Sequence, residues 1–260
     1  MQGTSSTDAM DRLNHRAYEG RAALRAFQRS AGLSPAERVI LKRLRPRIAG
    51  VALLDIGVGA GRTTPYLLEI SRRYTAIDYS RGMVERARKR LNLDSILCCD
   101  VREMSIFSDE QFDFAFFSFN GLDYIAHQDR LRALAEIRRV LKPGGLFLFS
   151  SHNRACLGPG GRRSSSIKYS PLRALKRGVM GLLLIHRHLR MRRDERATAE
   201  YAIVNDSGLN YSILTYYISI SAQLAQLKNS GFKIEAFYDD RGEQASEDCR
   251  AGFVHYLAVK

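Results

Sequence analysis

The sequence of 260 residues predicts an α/β fold with a doubly wound, mostly parallel sheet. Three observations predict it: short apolar runs alternate with amphipathic stretches, a glycine-rich turn follows the first apolar run, and the last two apolar runs are joined by only a polar loop. Parallel strands need crossovers, which are usually helical, so the alternation favours helices on both faces of the sheet. The final pair favours an antiparallel C-terminal strand at one sheet edge.

The N-terminal part, residues 1–50, predicts one or two helices between Ala9 and Arg45 that serve as a lid or cap, with Tyr18 as part of it. The stretch Ser34-Pro35-Ala36-Glu37 is a good helix start, because a serine cap is followed by proline at the first helical position and glutamate at the third. Residues 51–260 are expected to form the main domain.

Strands and helices then take turns along the chain. Strands are predicted at Val51 to Ile56, Tyr74 to Ile77, Ser95 to Cys99, Phe112 to Phe119 and Leu146 to Ser150. Helices are predicted at Thr64 to Arg72, Met83 to Leu91 and Arg130 to Leu141. A last helix at Ser219 to Ser230 precedes strands at Phe232 to Tyr238 and Gly252 to Val259. These assignments follow from apolar periods of two and of 3.6 residues and from the flanking Gly and Pro.

The most informative stretch is LLDIGVGAGRTT, where an apolar strand runs into Gly57, Gly59 and Gly61 and then into a helix. Glycines at alternate positions let the backbone turn sharply and lie against a ligand, and in an open α/β sheet this first turn is a cofactor site. A dinucleotide fingerprint would need glycine where Arg62 stands, and the Gly-Lys-Ser/Thr of a P-loop is absent.

Three acids stand at the ends of successive predicted strands. Asp55 precedes the glycines, Asp78 ends the second strand and Asp100 ends the third. A carboxylate at the second strand's end can accept two hydrogen bonds from a ribose diol. Asp100 can accept from an adenine amino group. The residues therefore offer a diol acceptor, an amine acceptor and a close glycine backbone, without an obvious phosphate clamp.

These pieces resemble the class I S-adenosylmethionine-dependent methyltransferases, which have a Rossmann-like fold. The resemblance rests on DIGVGAG, the acid-ended second strand, CCDV, FDFAFFSFNG and RVLKPGGL, and it covers residues 51–151. It implies S-adenosylmethionine as cofactor and S-adenosylhomocysteine as product. The implied cofactor-binding residues are Asp55, Gly57, Gly59, Gly61, Asp78, Tyr79, Met83, Asp100, Val101, Ser118, Phe119 and Asn120. Among them, Asp55 and Gly57 would hold the methionine part, and Tyr79, Met83 and Val101 would flank the adenine ring.

Methyl transfer to oxygen gains from a base near neutral pKa, and histidine is the natural candidate. His152 follows the fifth strand, whereas His127 and Tyr124 follow the fourth on the same side, so these three are the catalytic candidates. His127 has a rival interpretation as a helix cap. Asp123 is interpreted as a turn residue. The stretch Tyr211 to Tyr217 is predicted either to cover the site or to be an ordinary core strand.

The chain carries a net charge of +14, and residues 161–200 hold 11 Lys/Arg against 3 acids. We interpret residues 155–200 as a basic insertion before the last helix, with a basic amphipathic helix at Pro171 to Arg193. Three roles compete for residues 162–193: a lid, a surface that binds anionic membrane, or a nucleic-acid surface. Because only Tyr169 could stack on a base there, nucleic acid is the least favoured partner.

The sequence also predicts where this chemistry takes place. No apolar run approaches the ~20 residues of a membrane span, and the first residues lack the apolar part of a secretory signal, so we expect a cytoplasmic protein, with peripheral membrane contact open. Cys98, Cys99, Cys156 and Cys249 lack metal-ligand spacing and are interpreted as thiols used in packing, with no metal site.

We therefore expect methyl transfer to a small-molecule or glycan-type acceptor, as in bacterial methyltransferases of that kind, which SFNGLDYI, FSSHN and YYIS resemble. An RNA methyltransferase and a non-catalytic binding module are the alternatives.

Overall fold

A parallel sheet of five strands lies at the centre of the computed structural model, which describes residues 6–20, 32–158, 162–163, 178–206 and 208–260. The strands are β1 (Leu53–Ile56), β2 (Tyr74–Asp78), β3 (Ile96–Cys98), β4 (Phe112–Phe117) and β5 (Leu141–Asn153). Their order is β3-β2-β1-β4-β5, and all neighbours in this set are parallel. The strand order reverses between β1 and β4, and this switch point places a crevice at the carboxyl ends of these two strands.

Helices cover both faces of this sheet, as the alternation predicts. The covering helices are α2 (Pro35–Ile48), α3 (Thr64–Ile70), α4 (Arg81–Leu91), α5 (His127–Val140) and α7 (Ile220–Asn229), whereas α1 (Ser6–Tyr18) and α6 (Gly178–Met191) pack in a separate cluster. Successive residues of a strand point to opposite faces. Accordingly, Leu54 lies in one buried cluster with Ile137 of α5, and Leu53 lies in the other with Ile40 of α2.

Further strands extend the sheet beyond β5. They are β8 (Arg196–Ala197), β9 (Tyr201–Val204), β10 (Thr215–Ile218), β11 (Lys233–Tyr238) and β12 (Phe253–Val259), whereas β6 (Leu157–Gly158) and β7 (Arg162–Arg163) form a separate antiparallel pair. The predicted antiparallel C-terminal pair is confirmed, because β12 runs antiparallel to both β11 and β5. The long strand β5 then forks the sheet: its tip pairs with β10, which continues to β9 and β8.

Several predicted boundaries were wrong, including both ends of β5, since His152 lies within this strand and not after it. Helix α5 begins at His127 rather than Arg130, since the carbonyl of Ala126 already accepts the Arg130 amide at 2.8 Å. Strand β5 begins at Leu141, which pairs with Phe112, and so includes the predicted Lys-Pro-Gly-Gly stop. The strand expected from Tyr211 begins only at Thr215, because Tyr211 has a φ of 60°, in the left-handed region.

The basic insertion is described only in part. Helix α6 begins at Gly178, so residues 171–177 of the predicted helix lie outside the described residues, as do 159–161 and 164–170. Within the described ranges, no helix combines the length and apolarity needed to cross a membrane.

Candidate functional site

A pocket opens at the carboxyl ends of β1, β2 and β4, where the glycine-rich turn leads into α3. Most of the predicted site residues line it: Gly57, Gly59, Asp78, Tyr79, Met83, Asp100, Val101, Ser118, Phe119 and Tyr124. The lining does not include Asp55, Gly61, Asn120, His127 or His152. The strand-end argument therefore brings together the side chains that come directly after β2, β3 and β4.

The three glycines of the turn serve different purposes, although all have positive φ. A Cβ at Gly57 would lie 2.7 Å from the ring of Phe117, and one at Gly61 would lie 2.5 Å from Leu91. At Gly59, a Cβ would meet no atom within 4 Å. Gly57 and Gly61 thus allow close packing on β4 and α4. Gly59 lines the pocket and keeps its wall free for a ligand.

Asp78 is the carboxylate of the pocket floor. Its Oδ2 accepts the Gly59 amide at 2.8 Å and its Oδ1 accepts the Ser80 amide at 2.9 Å, which fixes the carboxylate against the glycine turn. Burial raises the pKa of Asp78 to about 6, against the lowering effect of these two hydrogen bonds. Each oxygen keeps a further lone pair, so the group can accept both hydroxyls of a diol.

Asp55 lies behind the turn, and its side chain is fully buried. Its Oδ2 accepts the Thr63 hydroxyl at 3.0 Å and the Tyr74 hydroxyl at 2.8 Å, whereas Oδ1 has no hydrogen-bond partner among the described residues. Burial raises the pKa of Asp55 to about 7. Asp55 therefore holds the turn in place, and its unpaired Oδ1 remains an acceptor for a polar group that the residues themselves do not provide.

Asp100 lines the pocket but is already engaged by a neighbour. Arg102 donates to both of its carboxylate oxygens, with the closest contact at 2.6 Å. Burial alone would raise the pKa of Asp100, but the hydrogen bonds from Arg102 lower it below the usual value. The same guanidinium reaches Asp11 of α1 at 2.8 Å and Asp129 of α5 at 3.2 Å. Arg102 thus joins the pocket to the helix that covers it.

Helix α1 covers the pocket with one of its faces. Asp11, Asn14, His15 and Tyr18 line the pocket at the helical spacing i, i+3, i+4, i+7. Asn14 anchors the helix, since its side chain donates to the Leu214 carbonyl at 2.8 Å and accepts the Leu214 amide at 2.8 Å. Sequence reasoning identified only Tyr18 of this face, although the polar spacing along the helix would have indicated the others.

Tyr18 and Tyr124 meet across the pocket. Their hydroxyls are hydrogen-bonded and their ring centroids are 5.4 Å apart, nearly edge to face. Burial raises the pKa of both phenols well above the ordinary value. Both groups are therefore neutral at physiological pH and act as hydrogen-bond donors rather than as bases.

Arg62, which sequence reasoning treated only as the residue that breaks a dinucleotide motif, also lines the pocket. It forms a two-pronged ion pair with Glu37 of α2, with both N–O distances at 2.7 Å, and it lies over the ring of Phe119 at 5.2 Å. The pair ties the cap helix to the start of α3. In the sequence, the only indication of this ion pair was Glu37 itself, which was identified as the glutamate of the capping box and which also accepts the Ser34 amide at 2.7 Å.

Neither His127 nor His152 is among the pocket-lining residues, and the ring of His127 contacts Tyr216 and Tyr201, which do not line the pocket either. The Nδ1 of His127 lies 2.7 Å from the Tyr216 hydroxyl, and its ring stacks on Tyr201 at 4.4 Å. Burial and the nearby Arg130 lower the pKa of His127, which favours the neutral ring. The predicted strand around Tyr216 is likewise a core strand, because Tyr216 is fully buried.

His152 lies behind Tyr124, and its ring centroid is 6.4 Å from the centroid of Tyr124. Its Nδ1 is 2.7 Å from Oδ2 of Asp123, and its backbone amide donates to the same oxygen at 2.6 Å. The prediction of Asp123 as a turn residue holds for its backbone, which lies in a short 3₁₀ helix. It missed the side chain, which is fully buried and ion-paired to the equally buried Arg130 at 2.7 Å.

Asn120 is the third residue after β4 and has the left-handed conformation, with φ of 57°. Its backbone amide donates to Ser150 Oγ at 2.9 Å, and its buried Oδ1 has no hydrogen-bond partner within the described ranges. Like Asp55, it offers a free acceptor beside the pocket.

The predicted packing role is confirmed for Cys99, Cys156 and Cys249, which pack against buried clusters, but it was wrong for Cys98, which is exposed. The half-buried Cys99 also lines the pocket. Burial raises the pKa of the Cys99 thiol to about 11, so it is protonated at physiological pH.

Comparison with known proteins shows what the chain is similar to. Residues 54–149 match the family described as "Methyltransferase domain". Malonyl-[acyl-carrier protein] O-methyltransferase of Serratia marcescens is 32% identical over 152 residues, which cover 56% of each protein. The chain thus spans about half the length of the curated relatives it matches.

Solved structures agree over more of the chain. An S-adenosylmethionine-dependent methyltransferase from Mesorhizobium loti superposes with a TM-score of 0.59 at 22% identity, over 86% of this chain and 98% of that one. The 1,6-didemethyltoxoflavin-N1-methyltransferase of Burkholderia thailandensis, solved with S-adenosylhomocysteine, gives a TM-score of 0.57 at 16% identity, over 90% of this chain and 80% of that one. At such identities the likeness shows the fold.

Proposed function

This chain belongs to the class I S-adenosylmethionine-dependent methyltransferases, and from that premise we propose that the whole protein transfers a methyl group to an oxygen of a small-molecule acceptor. The carrying observation is the buried Asp78 carboxylate, fixed against the open backbone of Gly59 in a pocket that is also lined by two neutral tyrosines, Tyr18 and Tyr124. The Serratia relative is named as an O-methyltransferase, which supports oxygen as the acceptor atom.

The residues present fit the cofactor. Asp78 would accept the ribose hydroxyls, and the turn at Gly57 and Gly59 would lie along the methionine part. The unpaired Oδ1 of Asp55 suits the methionine amino group, directly or through a water. On the adenine side, Asp100 has both oxygens occupied by Arg102, so an adenine amino group would share a carboxylate that is already neutralised. Tyr79, Met83 and Val101 would flank the ring.

In the proposed reaction, His152 accepts the proton of the acceptor hydroxyl while the hydroxyl oxygen forms a bond to the methyl carbon. When bound, S-adenosylmethionine supplies an electrophilic methyl group, whose carbon–sulfur bond breaks with the electron pair left on sulfur. Tyr18 and Tyr124 donate hydrogen bonds and, with α1, exclude water from the pocket. Positioning and water exclusion of this kind supply several kcal/mol of catalysis in transfer reactions. We propose that residues 1–50 act as the cap and 51–260 as the catalytic domain.

Calorimetry and mass spectrometry test this function. Wild-type protein should bind S-adenosylhomocysteine, and Asp78→Ala should lose most of that affinity. Asp109→Ala is the matched control, since Asp109 is an exposed carboxylate paired with Arg139 far from the pocket lining. A metabolite extract incubated with trideuteromethyl cofactor should yield a labelled ether or ester.

Failure of the wild-type protein to bind S-adenosylhomocysteine would indicate a non-catalytic module. Label found in RNA and absent from the metabolite pool would establish the RNA methyltransferase instead.

A second proposal concerns partners: helix α6 contacts anionic membrane from the cytoplasmic side. Leu182, Leu183 and Leu189 are 65, 55 and 54% exposed, whereas Met191 of the same helix is buried. Arg187 and Arg190 are exposed on this helix, which has no acidic residue. Exposed leucines beside arginines suit a lipid surface, where apolar side chains insert and guanidinium groups pair with phosphates. A lipid-linked sugar would present a glycan-type hydroxyl there.

Vesicle flotation tests the membrane contact. Wild-type protein should float with phosphatidylglycerol vesicles more than with phosphatidylcholine vesicles, and the double variant Leu182→Ser, Leu189→Ser should lose that preference. Ile106→Ser is the control, because Ile106 is 57% exposed at a site outside α6. Equal flotation with both vesicle types would exclude the membrane contact.

A further inference from the structure

The carboxylate of Asp123, in the short 3₁₀ helix that follows β4, faces His152 of β5. Asp123 Oδ2 accepts the His152 backbone amide at 2.6 Å and lies 2.7 Å from the ring atom Nδ1. Its Oδ1 accepts the Ser151 hydroxyl at 2.6 Å and the Arg130 guanidinium at 2.7 Å. Both oxygens are thus occupied by fixed partners, and Asp123 has no exposed surface.

This geometry determines which nitrogen of His152 carries the hydrogen. A carboxylate paired with a guanidinium has no proton to give, so the short contact requires that Nδ1–H donates to Oδ2. In the neutral ring, Nε2 then carries the lone pair. We propose that Asp123 is the positioning residue of His152: it fixes the Nδ1–H tautomer and leaves Nε2 to accept the proton of the acceptor hydroxyl. This inference rests on the proposed methyl transfer.

Arg130 holds Asp123 in this position. All of its described hydrogen bonds go to buried groups: Nε to Gln226, Nη1 to the Leu122 carbonyl and to Asp123, and Nη2 to Ser151 and Gln223. Its guanidinium also lies 4.8 Å from the ring centroid of Tyr216. A buried ion pair contributes little net stability compared with apolar packing. What this pair does provide is an orientation, since five hydrogen bonds from three elements fix the plane of the guanidinium that binds Asp123.

Aromatic side chains hold the imidazole from the other directions. The centroid of the His152 ring is 4.8 Å from that of Tyr217 and 5.1 Å from that of Phe253, with Tyr124 on the pocket side. The ring is therefore confined by packing while the carboxylate sets its tautomer. This is the arrangement that a general base needs, because proton transfer requires both a free lone pair and a fixed direction.

Nitrogen-15 NMR of the full-length protein with labelled histidine tests the tautomer without any turnover. Spectra are recorded at pH 8.5, and His152→Gln identifies the His152 signals. Wild-type protein should show the Nδ1–H tautomer at His152. In Asp123→Asn, the amide hydrogens face Nδ1, so the Nε2–H tautomer should appear. Asp113→Asn, which alters a carboxylate bound to Ala52 and Lys142 at the opposite end of β4, should leave the signals unchanged.

Kinetics with the acceptor identified by mass spectrometry give the second readout. In Asp123→Asn, kcat should fall by about 10³-fold to 10⁴-fold, as when the orienting aspartate of a catalytic triad is changed to asparagine. KM and affinity for S-adenosylhomocysteine should change less than threefold. A general loss of folding would instead lower affinity and kcat together.

Two results would overturn the inference. One is an Nε2–H tautomer in the wild-type spectrum, which decides the matter even where Asp123→Asn does not fold. The other is an Asp123→Asn protein that keeps the wild-type tautomer. If the tautomer is as proposed but no acceptor is methylated, the proposed function fails and the positioning of His152 stands. If methyl transfer occurs but His152 has the Nε2–H tautomer, the proposed function stands and the positioning role of Asp123 fails.

Discussion

Lowering the pH should weaken cofactor binding through a single buried carboxylate. Burial raises the pKa of Asp78 to about 6 in the free protein, and the ribose hydroxyls are donors that favour its ionised form. With that pKa, about nine-tenths of the carboxylate is ionised at pH 7 and about one-tenth at pH 5. Affinity for S-adenosylhomocysteine should therefore fall roughly tenfold between pH 7 and pH 5, with its midpoint near pH 6.

The same raised pKa has an opposite effect on the free protein. The folded state holds the Asp78 proton more tightly than the unfolded chain, so the stability associated with this group is fully present below about pH 4 and is lost as the pH rises through about 6. A shift from 3.8 to about 6 corresponds to roughly 3 kcal/mol. Asp78→Asn removes this titration, but its amide NH2 would face one of the two backbone donors that Asp78 accepts, so the variant should lose the pH dependence of stability without a net gain at pH 7 while it weakens cofactor binding.

Calorimetric titrations with S-adenosylhomocysteine between pH 5 and pH 8, paired with urea unfolding, measure both effects. Asp78→Asn should flatten the affinity profile. Asp55→Asn is the necessary comparison, because burial raises the pKa of Asp55 to about 7 and its titration would give a midpoint one unit higher. An Asp78→Asn protein with the wild-type pH dependence would refute this account of the pocket, as would a midpoint that moves only in Asp55→Asn.

The remaining predictions concern the turn and its support. Gly61→Ala should lower the free energy of unfolding by about 2 kcal/mol or more, because its Cβ would overlap Leu91 and its φ is positive. Urea unfolding measures this loss, and a stability equal to that of the wild type would contradict the packing role of Gly61. Gly59→Ala would meet no neighbouring atom, so its positive φ should cost the fold only about 1 kcal/mol, and the variant should weaken S-adenosylhomocysteine binding in calorimetry more than it weakens the fold. Glu37→Gln should cost about 3 kcal/mol in urea unfolding by leaving Arg62 without its ion pair, and an unchanged midpoint would show the pair to be dispensable.

Local sequence rules were enough where one chain segment determines the outcome. The capping box at Ser34 forms as predicted, with Ser34 Oγ accepting the Glu37 amide at 3.1 Å. The glycine turn and Asp78 fall at the end of a strand, because parallel strands carry their sites at the same edge. What the rule does not give is the second use of Glu37, which pairs with Arg62 across 25 positions of sequence.

The role of the Asp123 side chain was missed because its environment is assembled from distant segments. An aspartate after Asn-Gly-Leu is typical of a turn, and it does lie in a short 3₁₀ helix. Its burial depends on Arg130 one element later and on Ser151 of β5. A signal was nevertheless available: Gln223 and Gln226 interrupt the apolar face of α7 at a spacing of three, which indicates a buried polar partner for that helix.

The residues proposed for cofactor binding and for proton transfer come from different parts of the chain, and this limits what similarity to the relatives can identify. The stretch shared with the family, residues 54–149, supplies the glycine turn, Asp78 and Asp100. The proposed base His152 lies beyond the end of the match, and Tyr18 of α1, whose ring contacts those of Tyr79 and Tyr124, lies before its start. Since these segments are the ones that the family model does not cover, similarity to a named relative identifies the methyl donor far better than it identifies the acceptor. The acceptor must therefore be identified by isotope labelling rather than by analogy with the relatives.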